Sequence, residues 1–142
     1  LLLFLFLGLL TSIPLSPLVF VKAITVMFVI SFALTGLGFV IAWRMESTQG
    51  FHAIMSVFLL PMWLLSGALF PAAGVPAWLG WLITLNPLTY GMAAFRHVLY
   101  QGRALEGLPP FGLSLAITLC FAVVMVGLSM LIAGSRTSGD LH

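Results

Sequence analysis

The chain has 142 residues, of which 62% are apolar and only eight are charged, five basic and three acidic. A soluble domain carries about a quarter charged residues, so the 6% found here excludes a water-soluble globular fold and an intrinsically disordered chain. The mean hydropathy of +1.24 predicts an integral membrane protein. The net charge of +2 is too small to indicate nucleic-acid binding.

The chain opens inside an apolar stretch and begins with Leu1 rather than Met. Pro14 and Pro17 divide this stretch, so we expect a helix over residues 1–13 and a tight turn through the two prolines. Thirteen helical residues reach only about 20 Å, less than the roughly 30 Å hydrocarbon core of a bilayer. We therefore expect a fragment that starts partway through a membrane span.

Two further spans are marked by uncharged runs of about the length of a bilayer crossing. Residues 23–43 lie between Lys22 and Arg44 and would be about 32 Å long as a helix. Residues 111–134 contain neither charge nor proline and predict the last crossing. A polar tail, residues 135–142, follows it.

The uncharged run at residues 53–95 is too long for one crossing and must fold back. We expect a span over residues 51–70 with a kink at Pro61. Residues 76–101 predict two short helices that lie at the membrane interface or re-enter the membrane. Asn86 is expected to cap the second of them, with Pro87 at its first position. The predicted fold is an all-α membrane bundle of about four spans, the first incomplete, with a helical hairpin before the last.

Small residues suggest where helices pack closely. Ser31, Thr35, Gly38 and Ala42 follow the spacing i, i+4, i+7, i+11 and lie on one helical face. This stripe predicts packing against another helix, with lining of a substrate path as the alternative. Ser66 and Gly67 are further packing candidates.

Arg96 is the first charged residue after the long uncharged run. If Arg96 has only a structural role, its side chain would reach lipid headgroups or pair with Glu106. If it has a functional role, it would order an external gate or bind an anionic group of a substrate or a lipid. A set of aromatic residues would line a path for an amphiphile or face lipid: Phe58, Trp63, Phe70, Trp78 and Trp81.

The sequence gives little indication of a catalytic site or a metal site. His52, His97 and His142 are far apart and have no cysteine or carboxylate at metal-ligand spacing. The sequence contains neither a phosphate-binding P-loop motif nor a G-x-S-x-G motif, and its three carboxylates fall in predicted loops. We expect no enzyme activity, no metal and no cofactor in this chain.

Three ordered blocks carry a family resemblance: Pro61…Leu65-Ser66-Gly67…Pro71, then Pro76-Ala77-Trp78-Leu79, then Asn86-Pro87-Leu88-Thr89-Tyr90…Arg96. They resemble the C-terminal half of ABC-2-type transporter permeases, the group that includes daunorubicin-resistance and nodulation-factor exporters. The resemblance covers roughly residues 30–134. One departure is the stretch of residues 91–95, where many relatives carry an acidic residue.

The resemblance implies a six-span domain that dimerises, as a homodimer or a heterodimer, and pairs with P-loop ATPase subunits that bind ATP and Mg. It implies multi-pass insertion in a bacterial plasma membrane and export of an amphiphile such as a drug, a lipid or a lipid-linked glycan. A set of candidates would form an external re-entrant gate: Pro71, Pro76, Trp78, Asn86, Pro87, Tyr90 and Arg96. The loop with Arg44, Glu46 and Gln49 would face the ATPase.

The charges alone do not orient the chain. The implied topology places Arg44 and Arg136 inside but Lys22, Arg96 and Arg103 outside, which gives no excess of positive charge on the cytoplasmic side. A fragment of an ion-coupled secondary transporter, or a membrane scaffold that does not transport, is the alternative function. A proton-coupled carrier usually has a carboxylate within a span, and none is predicted here.

Overall fold

A computed structural model describes residues 16–45, 47–68, 75–100 and 107–137, and these ranges contain helices and no strand. We number the helices α1 Pro17–Ala42, α2 Thr48–Gly67, α3 Ala77–Leu85, α4 Pro87–Leu99 and α5 Phe111–Thr137. Three segments are long and apolar enough to cross a membrane: Pro17–Ala42, Thr48–Gly67 and Phe111–Gly134. The predicted partial span at residues 1–13 lies outside the described residues. The all-α fold class is confirmed.

Helix α1 begins six residues earlier than the sequence pattern predicted. The Ser16 hydroxyl accepts a hydrogen bond from the Val19 amide at 3.2 Å, and Pro17 occupies the first helical turn. A serine cap satisfies an amide that would otherwise lack a partner, and proline loses nothing at the first helical position. The expected turn at Pro17 is therefore wrong, and Lys22 lies inside the helix rather than before it.

Helix α2 begins at Thr48 because the Ser47 hydroxyl accepts from the Gly50 amide at 3.1 Å. The predicted kink residue, Pro61, lies within the helical run. The run is α-helical at Thr48–Ile54 and Leu60–Trp63, and π-helical at Met55–Leu59 and Leu64–Ala68. Proline has no amide hydrogen and crowds the preceding turn, so a local shift of the hydrogen-bond ladder to the wider π pattern accommodates it.

The helix directions follow from a few close contacts. Gly36 of α1 lies against Met125 of α5, and Val19, near the start of α1, lines a cavity with Phe111, the first residue of α5. Helices α1 and α5 therefore run in the same direction. Helix α2 runs in the opposite direction, since its end meets α4 beside the start of α1.

Helix α4 forms the centre of the bundle at the end where α1 and α5 begin. Seven of its thirteen residues are buried, and it packs against both of these helices and against the end of α2. The main apolar cluster joins Val19, Ala23 and Val26 of α1 to Ala94, Val98 and Leu99 of α4. Thr89 of α4 is buried like its apolar neighbour Leu88.

The predicted small-residue stripe does not lie in the contact between α1 and α5. Ser31, Thr35 and Ala42 are exposed, and Gly38 is half-buried, where an added Cβ would lie 3.9 Å from the Met55 methyl group. Helix α1 instead buries Ala33 and Gly36. A role of the stripe in packing against another helix stays a prediction.

Gly36 sits at the closest approach of α1 and α5. A methyl group added there would lie 3.1 Å from the backbone carbon and the Cβ of Met125. The Ser129 hydroxyl lies 3.1 Å from the Gly36 carbonyl oxygen and 2.8 Å from that of Met125, so it bridges the same crossing. Glycine favours this close approach, because an added side chain would press on the backbone of Met125.

We predict that Gly36→Ala lowers the free energy of unfolding by about 1–3 kcal/mol, because the two helices must move apart. Gly38→Ala is the matched control: it lies two residues away in the same helix and gains the same helix propensity, but its new methyl group fits. The midpoint of thermal unfolding is measured for both variants in the same detergent. Equal midpoints for the two variants would contradict the assignment of the crossing point.

Candidate functional site

Polar side chains that are scarce elsewhere in the chain gather where α4 meets the end of α2. We call this arrangement the carbonyl clasp. It consists of the side chains of Asn86, Thr89 and Arg96 and the backbone carbonyl groups of Met62, Leu65 and Gly67. It joins the first and third of the sequence blocks described above.

The end of α2 supplies the acceptors because the helix breaks there. Gly67 has φ of +80° and ψ of 6°, a left-handed conformation that ends the right-handed helix. The last four carbonyl groups of any helix lack partners within the helix, and Leu65 and Gly67 fall in this group. Away from water, such carbonyl groups need donors from elsewhere in the protein.

Asn86 connects three segments. Its side-chain nitrogen donates to the Met62 carbonyl oxygen at 2.6 Å, and its side-chain oxygen accepts from the Leu88 amide at 3.0 Å. The residue is 7% exposed. The predicted helix cap is confirmed, with Pro87 at the first position of α4. The second bond, to Met62, fixes the start of α4 against α2.

Hydroxyl groups satisfy further carbonyl groups nearby. The Thr89 hydroxyl lies 2.8 Å from the Ile83 carbonyl oxygen and 3.5 Å from that of Leu65. Since one hydroxyl hydrogen serves both, the longer contact is weak. Ser66, which is 2% exposed, donates to the Trp63 carbonyl oxygen at 2.6 Å.

Arg96 donates from its guanidinium group to the Gly67 carbonyl oxygen. The side chain is half-buried, so part of its charge lies against protein rather than at the surface. A guanidinium group is a strong donor to a carbonyl oxygen, and its five hydrogens let it serve further acceptors. The predicted partner Glu106 lies outside the described residues.

The other gate candidates surround the clasp without taking part in it. The Tyr90 hydroxyl donates to the Thr84 carbonyl oxygen at 3.0 Å and so links α3 to α4. Pro76 precedes α3, and Trp78 in its first turn is 66% exposed. Pro71 lies outside the described residues.

The loop predicted to face an ATPase lies at the opposite end of the bundle from the clasp. Arg44 is exposed just after the end of α1. Gln49 lies in the first turn of α2 rather than in the loop, because the Ser47 cap starts the helix before it. Glu46 lies outside the described residues.

Two apolar cavities lie along the groove between α1 and α5, with volumes of about 410 and 280 Å³. Phe28, Phe32 and Phe39 are among their lining residues. The aromatic residues predicted to line a path are elsewhere: Phe58, Trp63, Trp78 and Trp81 are exposed and line neither cavity. Phe70 lies outside the described residues.

Sequence reasoning named Asn86 and Arg96 as candidates, but it gave Thr89 no role at the site and missed the contacts with α2. The available signal was the spacing of Asn86, Thr89 and Arg96: positions i, i+3 and i+10 fall on one side of a helix. Donors on one side of a helix indicate a common set of acceptors. The broken end of α2, marked by Ser66, Gly67 and the nearby prolines, provides them.

A helical bundle with three possible membrane spans, one of them broken and bonded to a helical hairpin, is the architecture of an integral membrane protein. Residues 1–100 match the family described as ABC-2 type transporter, and the chain belongs to this family. The chain is thus the membrane part of a transporter, a kind of domain that is not itself catalytic. The matched residues include the whole clasp and end before α5. Comparisons with curated proteins and with solved structures gave no match.

We predict that Asn86→Ser lowers the free energy of unfolding by about 1–3 kcal/mol, because the Met62 carbonyl group loses the donor from α4 in a partly buried position. Serine still caps the helix but is too short to reach α2. Asn86→Ala, which also removes the cap, should cost about 1 kcal/mol more. Chemical or thermal unfolding in one detergent measures both. If Asn86→Ser has the same free energy of unfolding as the unmodified chain, the bond to Met62 does not contribute to stability.

Proposed function

We propose that the chain is the permease subunit of an ATP-driven exporter and that its α3–α4 hairpin is the extracytoplasmic gate. It would act with a P-loop ATPase subunit, which binds ATP and Mg, and with a second permease copy. The membrane would be a bacterial plasma membrane, and the substrate an amphiphile such as a drug, a lipid or a lipid-linked glycan. The observation that carries the gate is the carbonyl clasp in a chain of the ABC-2 type transporter family.

The depth of α4 supports a re-entrant hairpin rather than one that lies on the membrane surface. Gly91 contacts Ile30, midway along α1, and Thr118 of α5. Val98, near the other end of α4, shares a cavity with Val19 and Phe111, at the beginnings of α1 and α5. Helix α4 therefore starts deep in the bundle and runs outward, so Asn86 would lie near the middle of the membrane.

The clasp supports a two-state gate. Helix α2 has few contacts with α1 or α5 and meets the rest of the described bundle mainly through α3 and α4. Hydrogen bonds of this kind contribute about 0.5–1.5 kcal/mol each, and those to charged groups about 1.5–3. Two or three of them would favour the closed state by a few kcal/mol. This free energy is large enough to keep the gate closed, and it is small enough for a conformational change of a partner to open the gate.

The π-helical segments of α2 support a hinge for this change. A π segment leaves backbone groups less well paired than an α-helix does, so it can convert to α-helix with a local rotation of the chain. Such a rotation at Leu64–Ala68 would turn the Leu65 and Gly67 carbonyl groups away from α4. The end of α2 would then part from the hairpin while α1 and α5 stay in contact.

The apolar groove supports an amphiphilic substrate. It lies between α1 and α5 and presents phenylalanine side chains and Met130. The described ranges contain no aspartate or glutamate, so they offer no carboxylate for a cationic group. Such a surface suits acyl chains or aromatic rings.

We predict that Arg96→Gln reduces ATP-dependent export about five-fold or more, the effect of a loss of roughly 1 kcal/mol in the clasp, while membrane insertion is unchanged. Tyr90→Phe is the matched control, since it removes a hydrogen bond within the hairpin but none to α2. Transport is measured in inverted vesicles that contain the permease and its ATPase, with insertion quantified in the same vesicles.

Two results would contradict this account. Equal export by correctly inserted Arg96→Gln and Tyr90→Phe proteins would exclude the clasp as a gate. Transport that follows an imposed ion gradient and persists without ATP would instead favour an ion-coupled carrier, and absence of any transport with every candidate ATPase would favour a scaffold.

A further inference from the structure

A third cavity lies where α1 and α5 begin and α4 ends, away from both the clasp and the apolar groove. Its volume is about 470 Å³, within the range of small-molecule sites. Three polar residues, Ser16, Lys22 and His97, contribute to its wall. The other described residues in its wall are apolar: Leu18, Val19, Val98 and Phe111.

Lys22 gives this cavity a positive charge. The described ranges contain no aspartate or glutamate, so no carboxylate in them neutralises the Lys22 ammonium group. The side chain is exposed and lies in the second turn of α1. A cation in a largely apolar wall favours an anion from outside the bundle.

The part of the wall that includes His97 is held by hydrogen bonds. The His97 side-chain nitrogen Nε2 lies 2.9 Å from the Pro109 carbonyl oxygen, and the Ser114 hydroxyl lies 3.3 Å from the same oxygen. The His97 ring also packs edge-on against Phe111, with ring centres 6.3 Å apart. These contacts hold the end of α4 to the beginning of α5, so the cavity keeps its shape.

The position of the cavity suits the boundary between lipid headgroups and acyl chains. Lys22 is five residues from the start of α1, about 8 Å along the helix, and lysine side chains at such depths extend to the membrane surface. The apolar residues Leu18 and Phe111 are exposed beside it, at the first turn of α1 and of α5. An anionic group could therefore pair with Lys22, and an apolar chain could pack against Leu18 and Phe111.

We infer that this cavity binds the phosphate headgroup of a membrane phospholipid, with Lys22 against the phosphate and Leu18 and Phe111 against the first acyl carbons. A lipid rather than free phosphate is favoured because four of the seven lining residues that the structure describes are apolar. The site is separate from transport: a lipid bound there would tie α1, α4 and α5 together at the end of the bundle where the hairpin is attached. It does not depend on the proposed export activity.

Native mass spectrometry of the detergent-solubilised chain, titrated with phosphatidylglycerol, tests this site. We expect Lys22→Gln to weaken retention of the lipid by about five-fold, the effect of roughly 1 kcal/mol for one cation near anionic lipid. Arg44→Gln is the control, because Arg44 is also an exposed cation but lies at the other end of α1. Leu18→Trp fills the cavity from its exposed side while keeping the charge, and we expect a loss of similar size.

Three results would overturn the inference. Equal loss in Lys22→Gln and Arg44→Gln would mean that charge alone attracts the lipid. Displacement of the lipid by millimolar inorganic phosphate would show a simple anion site. Retention of the lipid only after Glu106→Gln would show that the chain's own carboxylate fills the cavity.

Discussion

Backbone carbonyl groups inside a membrane have no water to bond to, so they need hydrogen-bond donors from the protein. The position of the end of α2 depends on which donors bond to its carbonyl groups. The left-handed Gly67 and the π-helical Leu64–Ala68 segment leave acceptors that the helix itself does not satisfy. From α4, Arg96 donates to the Gly67 carbonyl group, and Asn86 donates to the Met62 carbonyl group in the turn before this segment. Because α2 has few other contacts with the bundle, the same bonds that satisfy its broken end also determine where it lies.

This dependence connects local structure to the proposed gate. Helix α4 is held on its other sides by apolar packing against α1 and α5, which is not easily reversed. Its contact with α2 includes the hydrogen bonds of the clasp, which can break and form again as α2 moves. A change imposed at the far end of α2, beside Arg44, would therefore separate α2 from α4 before it separated α4 from the core. Because the chain belongs to the ABC-2 type transporter family, we expect such a movement to serve transport.

Much of this architecture could be predicted from the sequence, because membrane spans need long uncharged runs and helix caps need particular residues. The hairpin cap at Asn86 was found in this way. The start of α1 was missed because Pro17 was interpreted as a turn residue, although the preceding Ser16 makes it a first helical residue. The burial of Thr89 and the bond from Asn86 to Met62 could not be predicted, since both depend on which helix lies beside α4. The residue pattern within one helix does not specify which helix packs beside it.

The most direct test of this account measures the membrane depth of the hairpin. Spin labels would be placed at the exposed positions Trp78, Leu82, Leu85 and Tyr100 of a chain carrying Cys120→Ala, and depth would be determined from collision with oxygen and with a water-soluble nickel complex. The account predicts that depth increases by about 10 Å from Trp78 to Leu85 and decreases again at Tyr100. Equal depth at all four positions would place the hairpin on the membrane surface and contradict the re-entrant gate.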